Sequence, residues 1–488
     1  MSWQTILFII YQIIAITAIL HVVMDNRQPA KTMAWAMVIY FVPVAGIIAY
    51  LLFGVNTRRE RMISQRSMDQ LTRRSLSGFA EQSDLQLPEA WHPVIDLFVN
   101  QSFSLPFNNN KVDILANGYE FFPALLRDIA SARDHIHLDV YIFEDDALGR
   151  MLSDALIDRA RQGVEVRVLY DDVGCWSVGR RFFEHLRVEG IEVEPFMPVR
   201  FPQFARKVNY RNHRKVIVID GKVGYIGGMN LAMRYVKGRH GRGWRDTMLR
   251  VEGSGVYTLQ RAFLIDWYFV DRTQLTDRKY YPSTSTIDHS PSTIDQSPST
   301  IDHSPSTILQ TVTSAPMAPY PEIMQGYVRI ILSAKKYIYI QTPYFLPTDA
   351  VLFSLKTAAA SGVDVRVMVP RKTDGWFVEW GSRSYLREVQ EAGIQVLLYE
   401  PCFLHAKMLV CDDEACTCGS TNIDFRSFLN NFEANTFIYG DDVALRMKQV
   451  FLNDAEHSVP LSSLPQRMKP AFFHRLAESL TRLLSPLL

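Results

Sequence analysis

The sequence predicts an α/β protein of two similar lobes joined into one pseudo-symmetric body, preceded by an N-terminal transmembrane helical hairpin. Three observations carry this expectation. A His-x-Lys-x4-Asp pattern with a glycine and an asparagine downstream occurs twice, as His213, Lys215, Asp220 and Asn230, and again as His405, Lys407, Asp412 and Asn422. Upstream of each copy the same succession of strand, helix and strand patterns recurs, which favours a sheet covered by helices. Two charge-free apolar stretches open the chain, each exceeding the roughly 20 residues that a helix needs to cross a bilayer.

Residues 1–24 form the first apolar stretch and 32–56 the second, joined by the short polar DNRQPAK with Pro29, and together they give a predicted hairpin over 1–56. Gln4, Gln12 and Pro43 leave a shallow or re-entrant hairpin as the alternative to two full spans. Residues 57–110 read as a juxtamembrane basic segment. Its Arg58, Arg59, Arg61, Arg66, Arg73 and Arg74 outnumber Arg27 and Lys31 of the connecting loop, which places the body on the cytoplasmic side of a multi-pass protein of the inner membrane.

The first lobe is expected over 111–282, with strands at 136–143 and 164–170 flanking a helix at 147–162. The second, over 317–460, repeats this with strands at 337–345 and 363–369 around a helix at 350–361. Gly190-Ile191-Glu192-Val193 and Gly393-Ile394-Gln395-Val396 extend the match. An internal duplication explains it. Between the lobes, 283–316 reads as a low-complexity linker. Its seven-residue repeat, STIDHSP and variants over 285–308, has a proline in every complete unit, so it cannot be a coiled coil and should tolerate deletion. The tail, 461–488, is amphipathic: Phe472, Phe473, Leu476, Leu480, Leu483 and Leu484 share one helical side, which suits either a membrane interface or packing on the body.

Formal charge is +1, so no nucleic-acid partner is expected and attraction to anions must be local, as in the run Arg206, Lys207, Arg211 and Arg214. The five cysteines lack zinc spacing and read as free thiols; no metal is expected.

In the first motif a strand puts His213 and Lys215 on one face and Arg214 on the other, and Asp220-Gly221 supplies a hairpin turn. Histidine can attack phosphorus or carry a proton near neutral pH. Two histidines approaching a phosphodiester from opposite sides permit in-line displacement, one attacking and the other protonating the departing oxygen. Lys215 and Lys407 would hold the non-bridging oxygens, with Asn230 and Asn422 as neutral donors, so no cofactor is needed. Each imidazole also needs an acceptor on its other nitrogen. Asp246 and Glu433 stand at similar distances downstream, and Asp246 is the expected partner of His213. Asp220 and Asp412 complete the motifs, but their parity opposes the reactive face and points to a structural role.

HRKVIVID at 213–220 and HAKMLVCD at 405–412 resemble the two HKD motifs of the phospholipase D superfamily. More narrowly, the N-terminal hairpin, YRNHRK at 210–215, GGMN at 227–230, TPYF at 342–345 and the closing SPLL resemble bacterial cardiolipin synthases. The resemblance implies two phospholipase D-like lobes and a metal-free phosphatidyl transfer between two phosphatidylglycerol molecules, giving cardiolipin and glycerol. It places the nucleophile on His213 and the acid/base on His405, with His213, Lys215, Asp220, His405, Lys407 and Asp412 as the catalytic set. Phosphatidylglycerol, other anionic phospholipids and the membrane are then the partners. A hydrolase or nuclease using the same pair, and a non-enzymatic lipid-binding protein, are the rival readings. One departure stands out: Asp413 follows the second motif where the family usually has glycine.

Overall fold

A computed structural model describes residues 2–25, 29–42, 44–54, 85–199, 209–238, 243–282, 307–463 and 472–485. Arg27, Arg58, Arg59, Arg61, Arg66, Arg73, Arg74, Arg206, Lys207, the repeat as far as residue 306 and the last three residues lie outside them.

Both lobes share one sheet, fifteen-stranded among the described residues. From the first lobe's edge the order runs Glu192–Phe196, Glu165–Asp171, His135–Val140, Lys215–Ile219, Val223–Gly227, Met248–Gly253 and Phe107–Leu115. Thr307–Ser314 follows, and the second lobe then runs outward in the mirrored order: Glu433–Tyr439, Ala415–Gly419, Met408–Cys411, Tyr337–Gln341, Asp364–Pro370 and Gln395–Tyr399, edged by Ser458–Pro460. Antiparallel pairing of Phe107–Leu115 with Thr307–Ser314 joins the halves. The repeat expected from sequence is therefore real at the level of strand order. Lobe equivalence is fixed by register: Asp139 faces Val216 just as Gln341 faces Met408.

Alternation and capping residues account for the helices. Asn117 accepts from the Glu120 amide (3.0 Å) while Glu120 reaches back to the amide of Ala116 (2.8 Å), a reciprocal cap that starts helix Gly118–Ser131. Asp146 caps helix Ala147–Arg161 through Gly149 N (2.9 Å). Each lobe has its own apolar core, and a third lies between them. That third core packs Val216, Val218 and Leu249 of the first lobe with Met408, Val410 and Ala434 of the second. The lobes are thus not independently buried.

Three expectations need correction. The range 57–110 is not all juxtamembrane: helix His92–Ser102 puts Val94, Ile95 and Phe98 into the second lobe's core beside Ile323 and Tyr327, and Phe107 already begins a central strand. The linker range 283–316 contains buried strand Thr307–Ser314, whose residues 308–314 pair with Glu433–Tyr439. Its Thr-Ile start reads in sequence as the repeat's last unit, because a proline-free fragment of a repeat looks like the repeat. Finally, the second apolar stretch is not one span. Helix Pro29–Phe41 has 13 residues, giving about 20 Å of rise, short of the ~30 Å hydrocarbon layer; a separate Ala45–Ala49 helix and a π-helical turn Tyr50–Gly54 follow. Trp3–Met24 is the one described helix long and apolar enough to cross a membrane, and it packs on the broken segment through Val22, Trp35, Ile39 and Tyr50.

Helix Phe472–Leu484 docks on helix Trp376–Glu391, with Arg387 paired to Glu478 and Arg482 bonded to Glu388 (2.5 Å) and lying over the Tyr385 ring. It also touches helix Pro29–Phe41. Leu476 and Leu483 remain exposed; the side chains of Phe472, Phe473 and Leu480 are outside the described set.

Candidate active site

The two reactive strands are positioned by the other lobe. Phe432 N donates to Arg211 O and His213 N donates to Phe432 O (both 2.9 Å), so the segment entering the first motif is zipped to the residue before Glu433. In the second lobe Phe403 and Leu404 pair in parallel with Trp244 and Arg245, and His405 N donates to Arg245 O (2.7 Å), beside Asp246. Each histidine thereby meets an acid from the opposite lobe.

His213 Nδ1 lies 3.0 Å from Glu433 Oε1, and His405 Nδ1 lies 2.6 Å from Asp246 Oδ2. The expected pairing of Asp246 with His213 is therefore overturned. Equal spacing downstream suggested pairing within a lobe, whereas the two-fold arrangement swaps the acids across the interface. The neighbours of the acids differ too. At Gly228 an added Cβ would stand 2.1 Å from Asp246 Oδ1, so glycine is required there; its counterpart Ser420 instead donates its hydroxyl to Glu433 (2.5 Å). Asn431 (3.1 Å) supports Glu433, Thr247 N (2.7 Å) supports Asp246, and Arg214 Nε (3.0 Å) holds Glu433 O.

Burial alone would raise both acids, but it is outweighed. His213, Lys215 and Ser420 hold Glu433 below the usual carboxylate range, and Lys407, His405 and the Thr247 amide do the same for Asp246. An ionised carboxylate only accepts, so both Nδ1 atoms carry the proton and both Nε2 atoms keep a lone pair. Burial, helped by Lys407, pushes His405 down to about 3; burial, with Lys215 adding to it and Glu433 opposing, lowers His213 as well. Two neutral imidazoles result. Desolvation also brings Lys215 to about 7 and Lys407 to about 8. Lys215 Nζ donates to His213 O (2.5 Å), and Lys407 Nζ sits 2.8 Å from His405 Nδ1.

Both histidines line one cavity of about 290 Å³, shared with Tyr141, Asn230, Trp244, Tyr344, Asn422 and Arg426 among others. Asn230 is committed to Tyr235 OH (2.7 Å) and the Ile142 amide (3.0 Å), which leaves little of it for a ligand; Asn422 has a buried Oδ1 with no partner. Asp220 and Asp412 sit at the far ends of their strands. Each carboxylate accepts three backbone N–H groups, those of Arg133, Asp134 and His135 for Asp220 and those of Lys335, Lys336 and Tyr337 for Asp412, at 2.6–3.0 Å. Both tie the motif hairpin to the neighbouring strand. Asp413 takes the left-handed conformation (φ 64°) that Gly221 has in the first lobe (φ 63°), held by Tyr337 OH (2.9 Å) and Lys448 (2.8 Å). The missing glycine leaves the turn unchanged in kind. Cys175, Cys411, Cys416 and Cys418 are buried free thiols, and among the described residues no cluster of metal-ligating side chains occurs.

Against known proteins, the family model described as cardiolipin synthase, PLD-like domain, matches residues 125–267 and 327–455. A second, described as phospholipase D-nuclease N-terminal, matches 13–54. The chain is 37% identical over 500 residues to the major cardiolipin synthase ClsA of Bacillus subtilis, covering 100% of both chains. It belongs to the cardiolipin synthase family. A family member from Geobacillus kaustophilus is 38% identical over 472 residues, 95% of this chain and 90% of that protein. The crystal structure of phosphatidylserine synthase from Haemophilus influenzae superposes with a TM-score of 0.61 at 16% identity, over 81% of this chain and 100% of that one; this likeness shows the two-lobed fold alone.

The structure brings together both histidines, both lysines and both acids that the sequence singles out; Ser420, Asn431 and Arg426 join them without having been singled out, Ser420 and Asn431 through Glu433 nearby in the chain and Arg426 through Asn209 of a distant segment. For Ser420 a signal existed: aligning the two motifs sets it against Gly228.

Proposed function

We propose that this chain is a cardiolipin synthase that moves the phosphatidyl group of one phosphatidylglycerol to the glycerol hydroxyl of a second, through a phosphohistidine. The observation that carries the reading is two imidazoles, one from each lobe, lining one cavity with each Nδ1 bonded to a carboxyl group of the opposite lobe. His213 Nε2 attacks phosphorus and the bond to the departing glycerol oxygen breaks as His405 supplies its proton. The substrate's negative charge favours that protonated His405 when the lipid is bound. His405 then takes the proton of the incoming hydroxyl, whose oxygen attacks phosphorus and releases His213. Lys215 and Lys407 hold the non-bridging oxygens, Asn422 contributes from the cavity wall, and Glu433 and Asp246 fix the two ring orientations. Asp220 and Asp412 serve as scaffold. Trp3–Met24 anchors the enzyme, and the broken second segment lies beside it in the inner membrane, with the catalytic body facing the cytoplasm and anionic phospholipid as the surface it works on.

Purified full-length chain in detergent with labelled phosphatidylglycerol tests the reading. Cardiolipin and glycerol should form in equal amounts. Phosphatidic acid as the main product would replace the proposal with a hydrolase, and no turnover would replace it with a binding protein.

A further inference from the structure

The two-fold relation between the lobes sets Arg234 against Arg426, since each follows its motif asparagine by four residues. Register supports the match: Phe143 bridges Leu231 as Phe345 pairs with Ile423. Both arginines line the cavity. Their surroundings differ in one decisive respect. Arg234 is ion-paired with Glu144 and lies over the Trp244 ring (5.7 Å). The position equivalent to Glu144 in the second lobe is Leu346, which cannot neutralise a cation.

Arg426 consequently bonds only to neutral acceptors among the described residues, Asn209 Oδ1 (3.3 Å) and Asn209 O (3.1 Å), and forms no salt bridge there. Asp424 and Asp171 act on it through space, while Arg211, which also lines the cavity, faces Asp171 at 3.4 Å and adds positive charge beside it. Arg426 is half-buried on the cavity wall, where loss of water lowers its guanidinium, and no carboxylate among the described residues pairs with it directly. Such a group favours an anionic ligand, and its planar fork fits the paired oxygens of a phosphate. The His-Lys pairs already account for the phosphate that reacts. Near Arg426, Asn422 and Asn431 line the same cavity and each has a buried amide oxygen without a hydrogen-bond partner among the described residues, acceptors suited to hydroxyls.

We propose that Arg426 forms a second phosphate subsite, which holds the unreacting phosphodiester of the acceptor lipid so that its glycerol hydroxyl faces the phosphohistidine. This rests on the synthase reading above. The donor half-reaction breaks the bond from phosphorus to the glycerol oxygen and makes the bond to histidine nitrogen; the acceptor half-reaction reverses this with the new hydroxyl oxygen, and Arg426 changes no bond in either. Its contribution is to the choice of acceptor, in favour of an alcohol that carries phosphate over one that does not.

The test compares soluble acceptors for full-length enzyme charged from phosphatidylglycerol in detergent: glycerol against glycerol 3-phosphate. Wild type should show a KM for glycerol 3-phosphate about tenfold or more below that for glycerol, the size expected from one charge-assisted hydrogen bond. Arg426→Gln should erase most of that preference and Arg426→Lys should restore part of it. Equal KM values in wild type would overturn the proposal without need of a variant, as would a preference that survives in Arg426→Gln. Failure of the synthase reading looks different: wild type would transfer the phosphatidyl group to neither acceptor.

Discussion

At the residue scale, the acids matter most because each belongs to the histidine of the other lobe. Glu433 keeps the proton of His213 on Nδ1, and Asp246 does so for His405. Replacing a carboxylate by its amide preserves shape but can present a donor to the ring, and so favours the wrong tautomer. Glu433→Gln should therefore slow phosphoenzyme formation even from a phosphatidyl donor with a good leaving group such as p-nitrophenol, whereas Asp246→Asn should slow it only from phosphatidylglycerol, each lowering kcat with the natural donor by on the order of 10²–10⁴. Rapid-quench measurement of bound label separates the two. The assignment within lobes that spacing implies would give the opposite result. Chemistry-bearing residues were legible here because histidine and lysine at fixed spacing are uncommon and occurred twice. Their pairing was not legible, since Asp246 and Glu433 stand at equivalent positions and only the crossing of Arg211 with Phe432, and of Phe403 with Trp244, decides which ring each meets.

At the scale of elements, alternation and Asp-Gly chemistry put Lys215–Ile219, its turn and Val223–Gly227 where they lie and Glu165–Asp171 and Asp364–Pro370 within a residue, whereas the expected 136–143 and 337–345 run past the ends of His135–Val140 and Tyr337–Gln341. Where composition changed gradually, boundaries were misread. Thr307–Ser314 follows the repeat without a break in residue type, yet all but one of its residues are buried and it joins the two halves of the sheet. Deleting 285–304 should accordingly leave cardiolipin formation within about twofold and the melting temperature nearly unchanged, because loop length costs little. Extending the deletion through 308 removes Thr307 and Ile308 from the central strand and should cost several degrees of Tm, with a matching loss of folded enzyme, on the scale of losing buried apolar contacts. Thermal unfolding of the two variants side by side checks this, and equal stability would mean that the strand's first residues are dispensable. The membrane segment shows the same limit: an apolar, charge-free run does not show that one helix ends at Phe41 and another begins at Ala45.

Across the whole molecule, duplication explains why one site needs two halves. Among the described residues fifteen strands form one sheet, a core of residues from both lobes lies at its centre, and each reactive segment is hydrogen-bonded to the opposite lobe. The same two-fold relation also reveals where the lobes diverge: Gly228 against Ser420, Glu144 against Leu346. Such departures give the two chemically similar halves different surroundings, in keeping with the proposal that one imidazole is phosphorylated and the other shuttles the proton. The most direct measurement uses phosphatidylglycerol labelled at phosphorus with His405→Ala and His213→Ala enzymes, quenched under conditions that preserve phosphohistidine, followed by mass mapping of the labelled peptide. Label should collect on His213 in the His405→Ala enzyme, where glycerol departs slowly without its acid and no base activates the acceptor, and none should appear in the His213→Ala enzyme. Label on His405, or equal product formation by either variant and wild type, would contradict the account.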